Sequence, residues 1–437
     1  MSKRAKPKLQ INRLDKVLEE LAEFIKSLLP LERLSGRFTH EIVFSNAEDG
    51  TIFLNGMEAQ RYRECLQQLV EVATFGEQIS PKAVERLYQE AILQSLDVSG
   101  RRSDQSVEQR LVQAIQNLKT NLRAKPYAFL VYYPIGGLAA DGLPVKVGNA
   151  TFCIFGDEHL AKFKDILTHQ KVSNEERQLR LEAIDERMKD IVGKPVCMIE
   201  VSAIEADAAR SLVLKELRLT LDIINFYSDL LPYSSGHLFI IGEAEKSTMT
   251  IPTFTQGDRP TVNVQTMVAG PLRLLSLQKL LDLGARRGLG FTIIADILSK
   301  QRNKLEDRLV AAMQWAGRAT VDSRREESFL LYAIALESLI LVENDKDELV
   351  YRLRVRVSHL LEEDVQARRK LSEQVRDLYA IRSQIVHSGK YQVKDADLGL
   401  IRFIAKNCIL RILIDEPFTS TTSPDDLVAW FDEQILK

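Results

Sequence analysis

The stretch SFLLYAIALESLILV, which runs from Ser328 to Val342, is apolar all around a helix except at Glu337 and Ser338. A helix at a protein surface keeps one polar face, so a helix that is apolar on nearly every side is buried. The run is too short to span a membrane, which takes about 20 apolar residues. The stretch therefore predicts a helix at the centre of a helical bundle.

Helical periodicity continues from this stretch to the end of the chain. The sequence pattern changes after Pro271, and nearly every segment beyond it has helical periodicity. The last predicted helix begins at Ser423 and Pro424 and has acidic residues in its first turn. Further helices are predicted at 347–361, 372–387 and 397–414. Residues 301–437 are therefore predicted to form an all-α domain.

Residues 36–300 mix strand and helix patterns and are predicted to form a mixed α/β domain, which makes the chain α+β overall. Runs rich in aromatic and β-branched residues predict strands at Phe38–Phe44, Tyr127–Tyr133, Ala150–Phe155, Val196–Val201 and His237–Ile241. Helical patterns lie between them at 57–73, 80–96, 105–122, 174–190 and 205–230. The strands are irregularly spaced, which argues against a regular βαβ alternation and a fixed-period repeat.

Residues 1–35 hold one amphipathic helix, which ends at Pro30. Its apolar side chains recur at spacings of three and four residues, at Ile11, Leu14, Leu18, Leu21, Ile25 and Leu28. Such a stripe could pair with a second chain, but one this short more often docks on its own domain. We interpret it as a docked helix.

Composition places the chain among ordinary globular proteins and excludes several classes. Its 437 residues carry 59 Lys plus Arg against 61 Asp plus Glu, which excludes a polybasic nucleic-acid binder but not a local basic surface. Disulfides and structural zinc are not expected, because no C-x-x-C spacing relates Cys65, Cys153, Cys197 and Cys408. The first ten residues, MSKRAKPKLQ, are not followed by the apolar segment of a signal peptide, so a cytoplasmic protein without a membrane partner is expected.

Two glycine-rich segments match phosphate-binding loops poorly. Ile135–Leu138 and Gly284–Gly290 fit neither the G-x-x-x-x-G-K-[ST] pattern nor a G-x-G-x-x-G between a strand and a helix. We interpret both as turns that glycine permits. The acids, with Asp141 and Asp258 among them, form no two-metal cluster, so neither a metal nor another cofactor is expected.

The segment YAIRSQIVHSGK, from Tyr379 to Lys390, carries the candidate chemistry. Arg382 and His387 have the R-x-x-x-x-H spacing, with the polar Ser383 directly after the arginine. This pattern resembles the signature of the HEPN superfamily of helical ribonucleases and nucleotide-associated domains. The run R-S-x-I-V-H-x-G after a tyrosine is similar to the ApeA-like HEPN group in particular, and so are two upstream segments, Trp315–Ala319 and Ala335–Leu339.

The resemblance covers about residues 305–415, and it implies that residues 301–437 form a HEPN helical bundle. It implies a metal-independent endoribonuclease that leaves 2′,3′-cyclic phosphate ends, in a bacterial defence or toxin-like effector. RNA and further copies of the chain, in a homodimer or a higher homo-oligomer, are the implied partners. The N-terminal domain is expected either to sense a phage-derived or nucleotide trigger or to restrain the dimer. Tyr391 follows His387 by four residues, whereas HEPN toxins partnered by nucleotidyltransferases show H-x-Y, so regulation through tyrosine modification is not expected.

The residue types in the motif suit RNA cleavage without a metal. A histidine titrates near neutral pH, so His387 can accept the proton of a ribose 2′-OH or donate one to the leaving 5′ oxygen. Arg382 stays charged and offers a planar fork of donors to phosphate oxygens. One histidine serves only half of these proton transfers, and a symmetric dimer would bring a second His387 to the same cleft.

On an ideal helix Arg382 and His387 do not face one phosphate, because they lie about 140° apart. One side of that helix is an apolar stripe of Leu371, Val375, Leu378, Ile381 and Ile385, and nearly the opposite side holds Arg376, Ser383 and His387. Either the helix is irregular near Ser388, or Arg382 meets His387 of a partner chain. We take this geometry as an argument for a composite site in a dimer.

Basic residues around the motif could hold an RNA backbone. Residues 350–411 contain 13 Lys plus Arg and 7 Asp plus Glu, and the candidate RNA-binding residues are Arg352, Arg356, Arg376 and Lys390. A solvated charged face, paired internally with acids such as Glu362, explains the same composition equally well.

The motif residues also have purely structural interpretations. His387 could interact with the dipole at the end of its helix. Arg382 could pair with Glu337, the lone acid on a buried helix, which gives Glu337 a supporting role that is compatible with catalysis. Ser383 either orients a phosphate or caps the backbone, and Tyr379 is expected to pack. The competing hypothesis is therefore a non-enzymatic HEPN bundle that binds RNA or a nucleotide, or that serves as a dimerising scaffold.

Overall fold

The structure is a computed structural model of the whole chain. It describes all residues except 1–6, 29–41, 47–49, 55, 74–77, 97–104, 169–172, 190, 231–235, 242–247, 256–260, 269–273, 323, 343–347, 389–391 and 437. The chain divides into two compact units, one of residues 1–131 with 200–214 and one of residues 132–199 with 215–437. These limits differ from the predicted boundaries at residues 35 and 300, because the second unit joins strands and helices to the C-terminal bundle.

The first unit is built from helices around an apolar core. Its elements are α1 (Pro7–Leu28), β1 (Ile42–Asn46), β2 (Gly50–Leu54), α2 (Gly56–Ala73), α3 (Pro81–Leu96) and α4 (Val107–Leu122), and β1 and β2 form an antiparallel hairpin. Leu14, Leu21 and Ile25 of α1 are buried in the same core as α2, α3 and α4. The prediction that the N-terminal helix docks on its own domain is confirmed for these side chains.

The chain also forms a five-stranded sheet. Its strands are β3 (Tyr127–Gly136), β4 (Val145–Val147), β5 (Ala150–Ile154), β6 (Pro195–Ala203) and β7 (Phe239–Ile240), in the order β4-β5-β6-β3-β7. The pairs β4–β5, β5–β6 and β3–β7 are antiparallel. A separate antiparallel hairpin joins β8 (Thr248–Thr255) to β9 (Thr261–Val268). Strands and helices together confirm the α+β class.

The other described elements of the second unit are helical. They are α5 (Asp157–Thr168), α6 (Asn174–Met188), α7 (Ala206–Ser228), α8 (Leu277–Arg286), α9 (Phe291–Ser299), α10 (Lys304–Val321), α11 (Arg325–Ile340), α12 (Leu349–Leu361), α13 (Val365–Ser388), α14 (Asp395–Ile414) and α15 (Pro424–Leu436), with a 3₁₀ turn at Phe418–Ser420. Gly288 and Gly290 have positive φ between α8 and α9, which confirms that this glycine-rich segment is a turn. Among the described residues, no helix is long and apolar enough to cross a membrane.

The apolar helix α11 is buried, as its sequence predicts. Phe329, Ala333 and Ala335 are each 0% exposed. Its first turn is fixed by the Ser328 hydroxyl, which donates a 2.6 Å hydrogen bond to the Ala319 carbonyl of α10. Helices α10, α12, α13 and α14 all pack against α11. Residues 301–437 therefore contain the predicted set of helices.

A row of polar side chains on α7 holds three neighbouring elements of the second unit. Asp222 pairs with the Arg318 Nε of α10 at 3.0 Å. The Asn225 side chain accepts from the Leu238 amide at 2.8 Å and donates to the Leu238 carbonyl at 3.0 Å, which fixes the approach to β7. Asp229, just after α7, pairs with Arg402 and Lys406 of α14. The three positions follow the i, i+3, i+7 spacing of one helix side.

Gly317 lets α10 approach the backbone of α7 at Asp222. A Cβ atom added at Gly317 would lie 1.8 Å from the Asp222 carbonyl oxygen and 2.6 Å from its carbonyl carbon. Backbone atoms cannot turn aside as a flexible side chain can, so any larger residue would force the two helices apart.

We expect Gly317→Ala to lower the free energy of unfolding by about 1–3 kcal/mol or more, measured by urea denaturation. The matched control is Gly399→Ala in α14, where nothing lies within 4 Å of the added Cβ. Alanine suits a helix interior better than glycine, so this control should be neutral or stabilising by up to about 1 kcal/mol. Equal effects of the two substitutions would contradict the close helix contact.

The buried Lys406 should make stability depend on pH. Burial lowers its pKa from 10.5 to about 8, against the attraction of Asp229. Between these values the unfolded chain binds a proton that the folded protein lacks, so rising pH favours the folded state. From pH 8 to pH 10.5, the free energy of unfolding of the wild type should rise relative to that of Lys406→Met by a few kcal/mol. Parallel pH profiles of the two proteins would contradict the assignment.

Candidate active site

Helix α13 carries the candidate motif, and it begins earlier than the predicted residue 372. The Asp364 carboxylate accepts hydrogen bonds from the Gln366 and Ala367 amides, both at 2.9 Å, and these bonds cap the helix start. The predicted apolar stripe is confirmed at its first three positions, since Leu371, Val375 and Leu378 are buried. Ile381 and Ile385 are half-buried. One side of α13 is thus held by the bundle, and this fixes where the motif side chains point.

Arg382 forms the predicted ion pair with Glu337 of α11. The Arg382 Nε lies 3.3 Å from the Glu337 Oε1, and the two side chains are 32% and 20% exposed. Among the described residues, no donor makes a well-aligned hydrogen bond to that Oε1, so the attraction is mainly between charges. The half-exposed guanidinium keeps its other donors available to a phosphate.

The environment of Glu337 opposes its charge. Burial raises the pKa of this carboxyl, while the Arg382 charge and the Tyr379 hydroxyl lower it by smaller amounts. The net direction is upward, so the carboxylate is held at a cost and needs its arginine. Glu337 can therefore fix the position of Arg382, which is the supporting role that the sequence suggested.

Tyr379 packs beneath this ion pair. It is 4% exposed, and its hydroxyl donates a 3.2 Å hydrogen bond to the Ala333 carbonyl of α11. Burial, and next the Glu337 charge, raise the pKa of Tyr379 well above its usual value. A phenol that stays protonated and buried serves packing, as expected from the sequence.

Ser383 and His387 lie on the solvent side of α13, and both are exposed. The helix continues through Ser388, so an irregularity before that residue is not the way Arg382 and His387 come together. Five residues of regular helix separate the two by about 7.5 Å along the axis and about 140° around it. One chain therefore places Arg382 against α11 and His387 toward solvent, on different sides of one helix.

The four predicted RNA-binding residues have different environments. Arg356 is 2% exposed and its Nη1 donates a 3.1 Å hydrogen bond to the Ile340 carbonyl, so the prediction that it contacts RNA is wrong. It turns inward because the face of α12 that carries it packs toward the Phe431 ring. Arg352 lies 3.5 Å from Glu348, and the exposed Arg376 bonds to Asp377. Lys390 lies outside the described residues.

Several of the positively charged side chains in residues 350–411 are paired with acids or carbonyl groups of the protein itself. Lys406 and Arg402 pair with Asp229, Arg382 pairs with Glu337, and the Arg368 Nε donates to the Glu362 carbonyl. Exposed cations remain at Arg369, Lys370, Arg376 and Lys394. The excess counted from the sequence therefore overstates the charge that an RNA backbone would meet.

Sequence reasoning missed the polar row of α7 altogether. Its signal was present, because Asp222, Asn225 and Asp229 stand at i, i+3, i+7 spacing in the mostly apolar run of residues 219–230. Polar residues at that spacing within apolar sequence indicate buried partners.

In the part of the chain that the structure describes, no group of three or more His, Cys, Asp or Glu side chains could hold a metal ion.

Comparison with known proteins gives no match to a protein-family model, to a curated protein or to a solved structure. The assignment of a function therefore rests on the motif and on the geometry around it.

Replacing Glu337 by glutamine should remove a pH dependence. Because the folded pKa of Glu337 is raised, the folded protein binds more protons than the unfolded chain between 4.5 and the raised value. Rising pH through that window therefore lowers the free energy of unfolding of the wild type relative to Glu337→Gln. Urea denaturation at pH 4 and pH 7 measures this difference. If the free energy of unfolding of the wild type instead rose with pH relative to that of Glu337→Gln, the Arg382 charge would outweigh burial.

Proposed function

We propose that the chain is a metal-independent endoribonuclease of the HEPN type, with residues 301–437 as its HEPN bundle. The observation that carries the proposal is the ion pair of Arg382 with Glu337, on a helix that exposes His387 five residues later. An anchored, half-exposed guanidinium and an accessible imidazole are the groups that phosphodiester cleavage needs when no metal takes part.

The reaction is an internal transfer within the RNA. One His387 accepts the proton of the 2′-OH as that oxygen attacks phosphorus, and the bond from phosphorus to the 5′ oxygen breaks. A second histidine donates a proton to the leaving 5′ oxygen, which yields a 2′,3′-cyclic phosphate and a 5′-hydroxyl. Arg382 stabilises the negative charge that develops on the phosphate oxygens. No oxidant or metal is consumed.

Two copies of the chain complete the site. Arg382 and His387 diverge by about 140° on one regular helix, so the arginine of one protomer would act with the histidine of the other. The proposed physiological role is that of a cytosolic defence or toxin-like effector, in which residues 1–300 respond to the trigger.

A scaffold function is the second candidate. It is favoured by the number of cations that are tied to the chain's own acids and carbonyls, since a nucleic-acid surface usually keeps them free. The two candidates differ in turnover, which the following measurements detect.

Purified protein should cleave single-stranded RNA in the presence of EDTA, and His387→Ala should slow cleavage by about 10²–10⁴-fold. Arg382→Lys should also slow it, because lysine keeps a charge beside Glu337 but loses the planar fork. Val386→Ala is the matched control, since this neighbouring side chain is 51% exposed and carries no polar group. Cleavage by His387→Ala at the wild-type rate would exclude the mechanism, and absence of cleavage by the wild type would favour the scaffold.

A mixture of wild type with His387→Ala tests the composite site. If the cleft needs one His387 from each chain, mixed dimers lack one of the two proton-transfer groups and should be nearly inactive. Random exchange of equal amounts leaves about a quarter of all dimers fully wild type, so the activity should fall to about half of that of the wild-type protein alone. An activity that stays equal to that of the wild-type protein alone would mean that each chain cleaves RNA without the histidine of its partner.

A further inference from the structure

An open groove separates the N-terminal half of α13 from α14. It has a volume of about 550 Å³, which is within the usual range of small-molecule sites. Its α13 wall is formed by Ala367, Lys370, Leu371 and Gln374, which share one side of the helix at i, i+3, i+4, i+7 spacing. The α14 wall presents Phe403 and Asn407, and the groove ends near Arg411 and Asp415.

Phe403 is an exposed aromatic ring in this groove. Its side chain is 63% exposed, whereas its helix neighbours Ile401 and Ile404 are fully buried. The core of the bundle therefore does not need this ring. A flat aromatic face that is open to a groove is a stacking platform for another planar group, such as a nucleobase.

Two carboxamides flank the ring. The Asn407 Nδ2 donates a 2.7 Å hydrogen bond to the Phe403 carbonyl, and this bond leaves the Asn407 Oδ1 as an acceptor. The Gln374 carboxamide lines the opposite wall, and no hydrogen bond joins it to another residue in the described ranges. Such amides offer both donors and acceptors to the edge of a base.

The charges in the groove fit one phosphate. Lys370 is exposed on the α13 wall, and Arg411 lies on the α14 wall with its Nε 3.6 Å from Asp415. Glu362 and Asp415 balance these two cations at the same end. A balanced site disfavours a polyphosphate, which would bring several negative charges next to the two acids.

We propose that this groove binds one nucleotide unit, with the base stacked on Phe403, its edge bonded to Gln374 and Asn407, and its phosphate held by Lys370 and Arg411. The unit is either a free nucleoside monophosphate or one nucleotide of a single-stranded RNA. On an ideal helix Lys370 and Gln374 lie about 100° and 140° around α13 from His387, and 20–25 Å or so along the axis. The site is thus separate from the proposed catalytic His387 and does not depend on it.

Direct binding measurements on the full chain test this inference. Titration calorimetry with each of the four nucleoside 5′-monophosphates, and fluorescence anisotropy with a labelled single-stranded RNA hexamer, are carried out in EDTA with His387→Ala to prevent cleavage. Saturable binding of at least one of these probes is expected. Inorganic phosphate and adenosine alone should bind more weakly, because each has only half of the recognised groups. Binding of the monophosphates identifies a free nucleotide as the ligand, and binding of the hexamer alone identifies RNA.

Variants locate the binding. In that His387→Ala background, Phe403→Ala should lower the affinity for the probe that binds by about 10-fold or more, as expected for the loss of a stacking partner. Lys370→Gln should weaken it and reduce the dependence on salt. Tyr351→Ala is the matched control, because Tyr351 is a 55% exposed aromatic residue on α12 that does not line the groove. It should leave the affinity unchanged.

Three results would overturn the proposal. They are the absence of binding by every probe, equal affinities of Phe403→Ala and Tyr351→Ala, and a fall in mass by light scattering on Phe403→Ala without nucleotide binding. The last result would make the groove an interface between copies of the chain. Binding that persists in His387→Ala while cleavage is lost supports the separation of the two sites. Binding by a chain that never cleaves RNA would remove the proposed function and leave this inference standing.

Discussion

The architecture of the second unit depends on the polar row of α7. Asp222, Asn225 and Asp229 each leave water only because another element supplies a partner, and each element is thereby fixed in one register. Apolar packing alone tolerates small shifts, whereas a buried hydrogen bond or ion pair is lost when its partner moves. Gly317 makes the first of these contacts possible, since only a residue without a Cβ allows α10 to approach the Asp222 backbone.

The candidate active site takes its geometry from this arrangement. Helices α10 and α14, which α7 holds, both pack against α11, and α11 carries Glu337. Glu337 in turn holds Arg382, and Tyr379 joins the same two helices one turn earlier through the Ala333 carbonyl. The arginine that we propose as the phosphate-binding group is therefore positioned by residues far from it in sequence.

Much of this could be predicted from the sequence, and the misses have physical causes. The apolar stretch of α11 and the periodicity of α7 fix their helices, because burial patterns repeat along the chain. The pair Glu337–Arg382 was foreseeable, since a lone acid in a buried helix needs a cation. The burial of Arg356 could not be predicted, because sequence patterns place basic residues at the surface. Only the structure shows that the Ile340 carbonyl and the Phe431 ring lie beside it.

Short and weakly patterned elements were missed for a related reason. The strand β4 has three residues, which is too short for a periodic signal of useful length. The twelve-residue helix α5 was missed as well. The start of α13 was placed too late because its first residues are polar and its cap, Asp364, lies among other acids. The groove between α13 and α14 is harder still to predict, since it is lined by residues of two helices that are far apart in sequence.

The two ion pairs that Asp229 forms with α14 affect how a ligand would bind in that groove. Arg402 and Lys406 are one turn apart on α14, and both bind the same carboxylate, so α14 can neither rotate about its axis nor slide along it without breaking a buried ion pair. Phe403 lies between them in sequence, about 80° around the helix from their mean direction. Its ring is thus mounted on a rigid wall that exists before any ligand arrives. A ligand would lose conformational entropy on binding, whereas the protein would lose little.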